Sequence, residues 1–465
     1  MRSEHEVAHR STTDRRTDWR PLVTCCLATF LLLAYTTVVT VSAPVIAQSV
    51  DSGFAVSQWI IDVYTLALAA LVLAMGSLGD RVGHRQLFLI GLAGFGTASV
   101  ACAVATTGGV LIAARGAQGI GGAAIFATVV PLLTLRYDGR ARGVAFAVWG
   151  AVAGAGSTVG TVAGGAVTEF VSWRWLFVAA VPICAVAVTI GAISLPRERP
   201  AHTRVDVAGT VLLIAAMTGV TFAVINGGEH GWTSAGTIGG IAVAAAAVLV
   251  LIPAQRRAAQ PALPGVLFAT RGFTAVLLVG FAYYFAAFAA LPVLSRWLQG
   301  SQHMGPLQAA SILSIQLAAF IVVSLGLGAR LHDSSRAGVL GGGTVLTGLA
   351  CLSGAALLHW PYWTTLIVAL ILSGIGAGVV SPVLPAVAAT SVPAERAGTA
   401  AAAANSARQL GLTIGIAVCG ALSQTTRPTQ GLVAALIVSG LVALFGGGTA
   451  AALLRRKDAS PSVSH

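Results

Sequence analysis

The chain breaks at polar, Gly/Pro or charged punctuation into fourteen long apolar runs, near residues 21–47, 57–78, 86–106, 109–135, 142–165, 173–195, 206–226, 235–254, 271–297, 306–330, 336–358, 362–390, 396–422 and 430–454. A run of about 20 residues, wound as helix at roughly 1.5 Å per residue, crosses the hydrocarbon core of a bilayer. Lipid offers backbone N–H and C=O groups no partners, so only helices or a closed barrel can span it. The runs are continuously apolar and lack the alternation of a barrel strand. The fold class is therefore an all-α polytopic membrane protein with 14 transmembrane helices. Composition agrees, with 56% of residues hydrophobic and 9% charged, against roughly one quarter charged in soluble domains. Residues 1–20 carry charges of both signs and no hydrophobic stretch, which predicts a polar tail and no cleaved signal.

The basic residues orient the chain, because short cytoplasmic loops hold the Arg and Lys excess. With the N-terminus inside, 22 of the 27 fall on the cytoplasmic side, and only Arg174, Arg296 and Arg427 fall outside. Arg115 and Arg408 lie within spans. Both termini are thus expected in the cytoplasm, with residues 455–465 a second tail. The net charge of +12 follows from topology, with some attraction to anionic membrane lipids, and needs no nucleic acid. Cys25, Cys26, Cys102, Cys184, Cys351 and Cys419 all fall inside spans without metal-ligand spacing and read as small packing residues. No loop reaches fifty residues, and there is no Walker-type loop and no Ser/His/Asp constellation. The expectation is a secondary carrier, not an enzyme, with no cofactor and an ion gradient as its energy source. The abundance of Ala, Gly and Arg over Lys suggests a bacterial source, hence the bacterial cytoplasmic membrane.

One polar stretch between spans 2 and 3 reads Gly76-Ser-Leu-Gly-Asp80-Arg81-Val-Gly83-His-Arg85. It resembles the loop-2/3 signature of the major facilitator superfamily, G-x-L-a-D-r-x-G-r-[KR], with His84 in place of the commoner basic residue. Trp59-Ile-Ile-Asp62-Val-Tyr64, Arg115-Gly-Ala-Gln118-Gly119, Ser172-Trp-Arg-Trp-Leu-Phe177 and Asn405-Ser-Ala-Arg408-Gln409-Leu-Gly411 resemble the fourteen-helix drug:proton antiporter branch of that family. The resemblance implies two six-helix bundles, at 21–195 and 271–454, with inserted helices 7 and 8 at 206–254. The stretch Gly326–Arg336, with Asp333, sits where the second bundle's copy of the hinge belongs. Such repeats place a substrate cavity near the midplane.

Asp62 is the one acidic residue inside a span, and Arg115 lies at similar depth on helix 4. Buried ionisable groups in a membrane persist for function or as a pair. The two are expected to meet across the first bundle, where an arriving substrate makes Asp62 take or release a proton; the plain alternative is a static pair fixing helices 2 and 4. The resemblance implies a part in proton transfer for Arg115. Gly76, Asp80, Arg81, Gly83 and Arg85 are expected to form a gating loop, with Asp80 pairing locally or facing a helix N-terminus of the other bundle; loop charges that only set topology are the alternative. Tyr35, Tyr64, Gln118, Asn405, Arg408 and Gln409, and also Gln316 and the pair Tyr283-Tyr284, either line the cavity or join helices. Gly156, Gly160, Gly164 and Gly165 form a small-xxx-small ladder on helix 5 for close helix packing.

Two positions depart from the branch: Thr161 replaces the proline of its helix-5 signature, and Tyr35 replaces its helix-1 aspartate. The expectation is a proton-coupled efflux transporter of amphipathic drugs, antibiotics or secondary metabolites, working by alternating access as a monomer. A proton symporter or facilitator for uptake, and a non-transporting sensor or scaffold, are the alternatives.

Overall fold

The structure is a computed structural model that describes residues 18–197, 206–258, 265–331, 335–358, 360, 362–393, 397–424 and 427–458. Asp333 of the expected hinge copy, Arg199, Arg204 and Arg396 of the expected cytoplasmic loops, residues 1–17 of the first tail and residues 459–465 of the second lie outside the described residues.

Fourteen helical segments follow one another: α1 (Arg20–Ser49), α2 (Phe54–Val82), α3 (His84–Val104), α4 (Gly108–Arg136), α5 (Gly139–Phe170), α6 (Trp173–Ser194), α7 (Val207–His230), α8 (Ala235–Arg257), α9 (Arg271–Gly300), α10 (Pro306–Leu331), α11 (Ala337–Leu357), α12 (Trp363–Thr390), α13 (Ala397–Leu422) and α14 (Pro428–Asp458). No strand occurs among the described residues. Thirteen of the helices are long and apolar enough to cross a membrane. The other, α13, carries Asn405, Arg408 and Gln409 and packs among them against α9, α2 and α7. The chain is a multi-pass membrane protein. Several helices run past the apolar runs, as α2 does by reaching from Phe54 to Val82, because backbone bonds continue into the headgroup layer. Within α9 the helix is interrupted at Ala289–Ala290, just before Pro292, whose ring cannot donate to the carbonyl one turn back.

Packing repeats with an offset of eight helices. The contacts α1·α5, α1·α6, α2·α4, α3·α4 and α3·α6 recur as α9·α13, α9·α14, α10·α12, α11·α12 and α11·α14. The two groups meet along two seams, α2·α13 and α5·α10, which exchange under the same offset. Helix α7 leans on α2 and α13, and α8 packs chiefly on α7.

The ladder on α5 explains its closeness to α1. A methyl group at Gly160 would lie 2.6 Å from the Ala34 Cα and carbonyl oxygen, and at Gly156 and Gly164 it would lie 2.9 Å from the Phe30 oxygen and 2.8 Å from the Val38 oxygen. Gly165, one residue round, meets α10 instead, with Pro306, Leu307 and Ala310 against it.

The expected gating loop is not a loop. Gly76 to Arg81 form the last turns of α2, Arg85 opens α3, and only Gly83 leaves helical geometry, at φ +96°. A side chain at that φ is strained, so glycine lets two helices turn within a single residue.

Candidate functional site

The start of α1 and the end of α14 lie on one face of the bundle, here the terminal face, where Leu454 near the end of α14 clusters with Ala275 of early α9, and Phe273 of early α9 with Leu73 of late α2. On the other face a cavity of about 230 Å³ opens between the halves, lined by Ala43, Gln48, Phe54, Gln58, Pro292 and Arg296 among others. Polar contacts tie the halves together around it. Gln58 Nε2 donates to the Ile416 carbonyl at 2.9 Å, Gln299 Nε2 to the Val41 carbonyl at 3.0 Å, and the Leu307 backbone N–H to the Glu169 carboxylate at 2.8 Å. Nearer the terminal face, the cross-half contact is apolar, with Leu73 of α2 packed against Phe273, Ala400 and Ala403.

Asp62 sits eight residues into α2, about 12 Å along the helix, and is fully buried. Gln58, one turn earlier, donates to its Oδ2 at 3.4 Å, and Oδ1 has no hydrogen-bond partner. The same face of α2 carries Thr65, whose hydroxyl accepts from Thr413 of α13 at 3.0 Å. Trp59, Leu66, Ala69 and Ala70 of that face pack with Leu213, Ile214 and Met217 of α7 and Leu410 of α13. Asp62 thus lies at the seam between the halves, and Gln58 stands between it and the cavity.

The expected meeting of Asp62 with Arg115 does not occur. Arg115 Nε donates to the Ile60 carbonyl at 3.2 Å, Nη2 to the Tyr35 carbonyl at 3.3 Å, and Nη1 to Gln118 Oε1, while its guanidinium stacks 4.2 Å above the Tyr64 ring. Ile60 and Tyr64 share the α2 face toward α4. Asp62, two residues on, is turned about 200° away. Depth agreed and direction did not. Arg115 joins α1, α2 and α4, and through Gln118, which donates to Ser99 at 2.7 Å, also α3.

Removing that guanidinium takes the donor from the buried Gln118 Oε1, which costs about 1–3 kcal/mol when orphaned, takes a second donor from the helix-paired Ile60 and Tyr35 carbonyls, and leaves a cavity over the Tyr64 ring. Arg115→Ala is expected to lower stability by about 3 kcal/mol or more, read as a fall in the unfolding midpoint of the purified protein, with Arg115→Lys intermediate because it lacks the planar fork. An unchanged midpoint for the alanine variant would contradict this structural role.

Three expected cavity residues are packing residues. The Tyr35 hydroxyl donates to the Leu176 carbonyl of α6, and its ring lies against Phe95 and Phe177; Tyr64 donates to the Leu32 carbonyl at 2.8 Å; Gln118 is enclosed by Arg115 and Ser99. Gln316 likewise donates to the Ala287 carbonyl and joins α10 to α9. The second half behaves differently. Arg408 and Asn405 are half-buried, bonded to each other at 3.1 Å, and Arg408 also donates to the Tyr284 hydroxyl. Gln409 is buried, and its Oε1 has no partner. Sequence reasoning missed Gln58 as the partner of Asp62, although the i−4 spacing on one helix face signals it.

At the terminal face Asp80 pairs with neither Arg81 nor Arg85. Its carboxylate lies 3.3 Å from His84 Nε2, one turn on, and Arg85 instead donates to the Ala192 carbonyl of α6 at 2.7 Å.

The family model described as Major Facilitator Superfamily matches residues 25–415 and 276–464. The chain is 32% identical over 437 residues to the Methylenomycin A resistance protein of Streptomyces coelicolor, covering 92% of this chain and 90% of that one. It is 30% identical over 406 residues to the Multidrug efflux pump LfrA of Mycolicibacterium smegmatis, covering 87% and 80%. Its fold resembles that of the crystallised peptide transporter POT, with a TM-score of 0.71 at 13% identity over 94% of each chain.

Proposed function

The chain belongs to the Major Facilitator Superfamily and is a transporter, and on that premise we propose that it exports amphipathic drugs, antibiotics or secondary metabolites in exchange for protons. Relatives named for methylenomycin A resistance and for multidrug efflux support the direction and the cargo class. The excess of Arg and Lys in the loops of the terminal face supports a cytoplasmic location for it, in a bacterial inner membrane.

Alternating access is the mode of action that the two seams support. The halves rock about α2·α13 and α5·α10, so that the cavity between Gln58 and Arg296 closes as the terminal side opens. Asp62 is the proton's site, and the observation that carries this reading is its fully buried carboxylate, one oxygen unpartnered, one hydrogen bond away from a cavity lined by Gln58. A charge there has no counter-ion among the described residues, which costs several kcal/mol in a membrane interior. A proton removes that cost. Rocking that moves Ile416 away from Gln58 frees the amide and changes the polarity around Asp62, so protonation and seam geometry are linked. Arg115 serves as the fixed staple of the first half on which α2 is held.

The test is transport in proteoliposomes of a fluorescent drug such as ethidium, alongside resistance of overexpressing cells to cationic, neutral and anionic compounds. An imposed proton gradient should drive cargo against the direction of proton flow. Movement with the protons would instead make this an uptake symporter, and absence of counterflow for every compound that cells resist would remove transport altogether.

The Asp80–His84 pair at the α2–α3 turn is half exposed, and such pairs are worth at most about 1 kcal/mol. Asp80→Asn is accordingly expected to shift the balance of the two access states by no more than about fivefold, read as changed labelling rates of single cysteines placed on the two faces. Identical rates would separate Asp80 from gating.

A further inference from the structure

The two guanidinium groups inside the bundle, Arg115 and Arg408, are held differently. Arg115 is fully buried and fixed by three acceptors and a ring. Arg408, on α13, is half-buried, and its partners are neutral: Asn405 Oδ1 and the Tyr284 hydroxyl, with the Tyr284 ring centre 4.5 Å from the guanidinium carbon. No carboxylate pairs with it among the described residues. Beside it Tyr283 is fully buried, its ring centre 5.8 Å from the same carbon, and its hydroxyl makes no hydrogen bond of full geometry, with Ser381, Tyr284 and Arg408 the polar groups around it. A cation and a weakly engaged phenol donor therefore stand together inside the second half, with no carboxylate beside them among the described residues.

An aromatic strip leads from this cluster to the seam. Tyr284 meets Phe288 with ring centres 5.0 Å apart, and Phe288 meets Phe320 of α10 at 6.2 Å. All three are half-buried. Phe320 and Ile321 in turn lie against Gly154 of α5, in the other half.

We infer that Arg408, Tyr283, Tyr284 and Asn405 form a subsite for the carboxylate of an anionic amphiphile whose apolar body lies along Phe288 and Phe320, and that such compounds are the preferred cargo. This rests on the export reading and narrows it. A guanidinium and a carboxylate form paired, charge-assisted hydrogen bonds, and the two phenols donate to the same oxygens. Desolvated opposite charges attract strongly in a medium of low dielectric, and a cationic drug in the same place meets repulsion of equal kind. Asp62 adds no second carboxylate to this cluster, since its side chain bonds to Gln58 and no ion pair joins it to Arg408 among the described residues.

The experiment measures binding of matched acid, primary-amide and amine compounds on three scaffolds, octyl, naphthylmethyl and bornyl, to the purified full-length protein, by quenching of tryptophan fluorescence. The wild type should bind at least one acid about tenfold more tightly than its amide and amine partners. Arg408→Gln should erase that preference by weakening the acid about tenfold while the amide changes less than about twofold, Arg408→Lys should keep part of it, and Tyr283→Phe should reduce it without removing it. If Arg408→Gln does not fold, the Arg408→Lys and Tyr283→Phe variants decide. A wild type that prefers no acid on any scaffold, or variants that leave the preference intact, overturns the subsite. Proton-driven export of ethidium alongside such a result would leave the export reading standing, whereas loss of all driven transport would remove that reading instead.

Discussion

Asp62→Asn should abolish proton-driven accumulation, lowering it at least about tenfold, while leaving counterflow of cargo and the stability of the protein intact. Asparagine keeps the shape of the side chain and can still accept from Gln58 through its amide oxygen, so the seam at Ile416 has no reason to open. What it cannot do is exchange a proton. Because the carboxylate has an unpartnered oxygen in a fully buried site, and buried charges without partners are costly, the neutral variant is expected to unfold no earlier than the wild type. The pairing of these two results is the discriminating feature. A carboxylate that merely tied helices together would lower stability when replaced and would leave the driven step in place. Proteoliposomes with imposed pH gradients measure the first quantity, and thermal unfolding in detergent measures the second. Full driven transport by Asp62→Asn would rule out this residue as the proton's site.

Gly160→Leu should prevent the first half from assembling. Even the first added carbon would sit 2.6 Å from the Ala34 Cα and oxygen and 2.9 Å from the Thr37 hydroxyl oxygen, and the first two are main-chain atoms that cannot swing aside. Overpacking in interiors typically costs about 1–3 kcal/mol where side chains can adjust, so a clash with backbone, extended by three further carbons, is expected to exceed about 3 kcal/mol. Gly150→Ala on the same helix is the control, because nothing lies within 4 Å of the added carbon and alanine favours helix by about 0.5–1 kcal/mol. Expression level and monodispersity of the two variants report the contrast. Equal behaviour of both would mean that α1 and α5 do not approach as closely as described.

Much of this architecture is legible in the residues because lipid imposes a length on every span and forbids unpaired backbone. The long apolar runs follow from that constraint, while Gly83 and the α5 glycines are legible because glycine best suits a positive φ and a close helix approach. Direction around a helix does not. Asp62 and Arg115 lie at matching depth, yet the face each presents depends on which neighbours the bundle supplies, and Tyr35, Tyr64 and Gln118 look like cavity polars until α6, α1 and α3 are set beside them. Gln58 was within reach of sequence reasoning, since it precedes Asp62 by one turn. The weakly engaged Tyr283 hydroxyl was not, because which polar groups surround a side chain is a property of the assembled structure.

Gly165 presents α10 with almost no relief, and the atoms nearest to it are the Ala310 methyl, the Pro306 carbonyl oxygen and the Leu307 Cα. Where knobs seat in holes, sliding one helix over another means climbing out of each socket in turn. A flat bearing has no such teeth. In the proposed motion the two parts would meet here in firm touch yet without interlocking side chains, held at this point chiefly by the Glu169–Leu307 hydrogen bond.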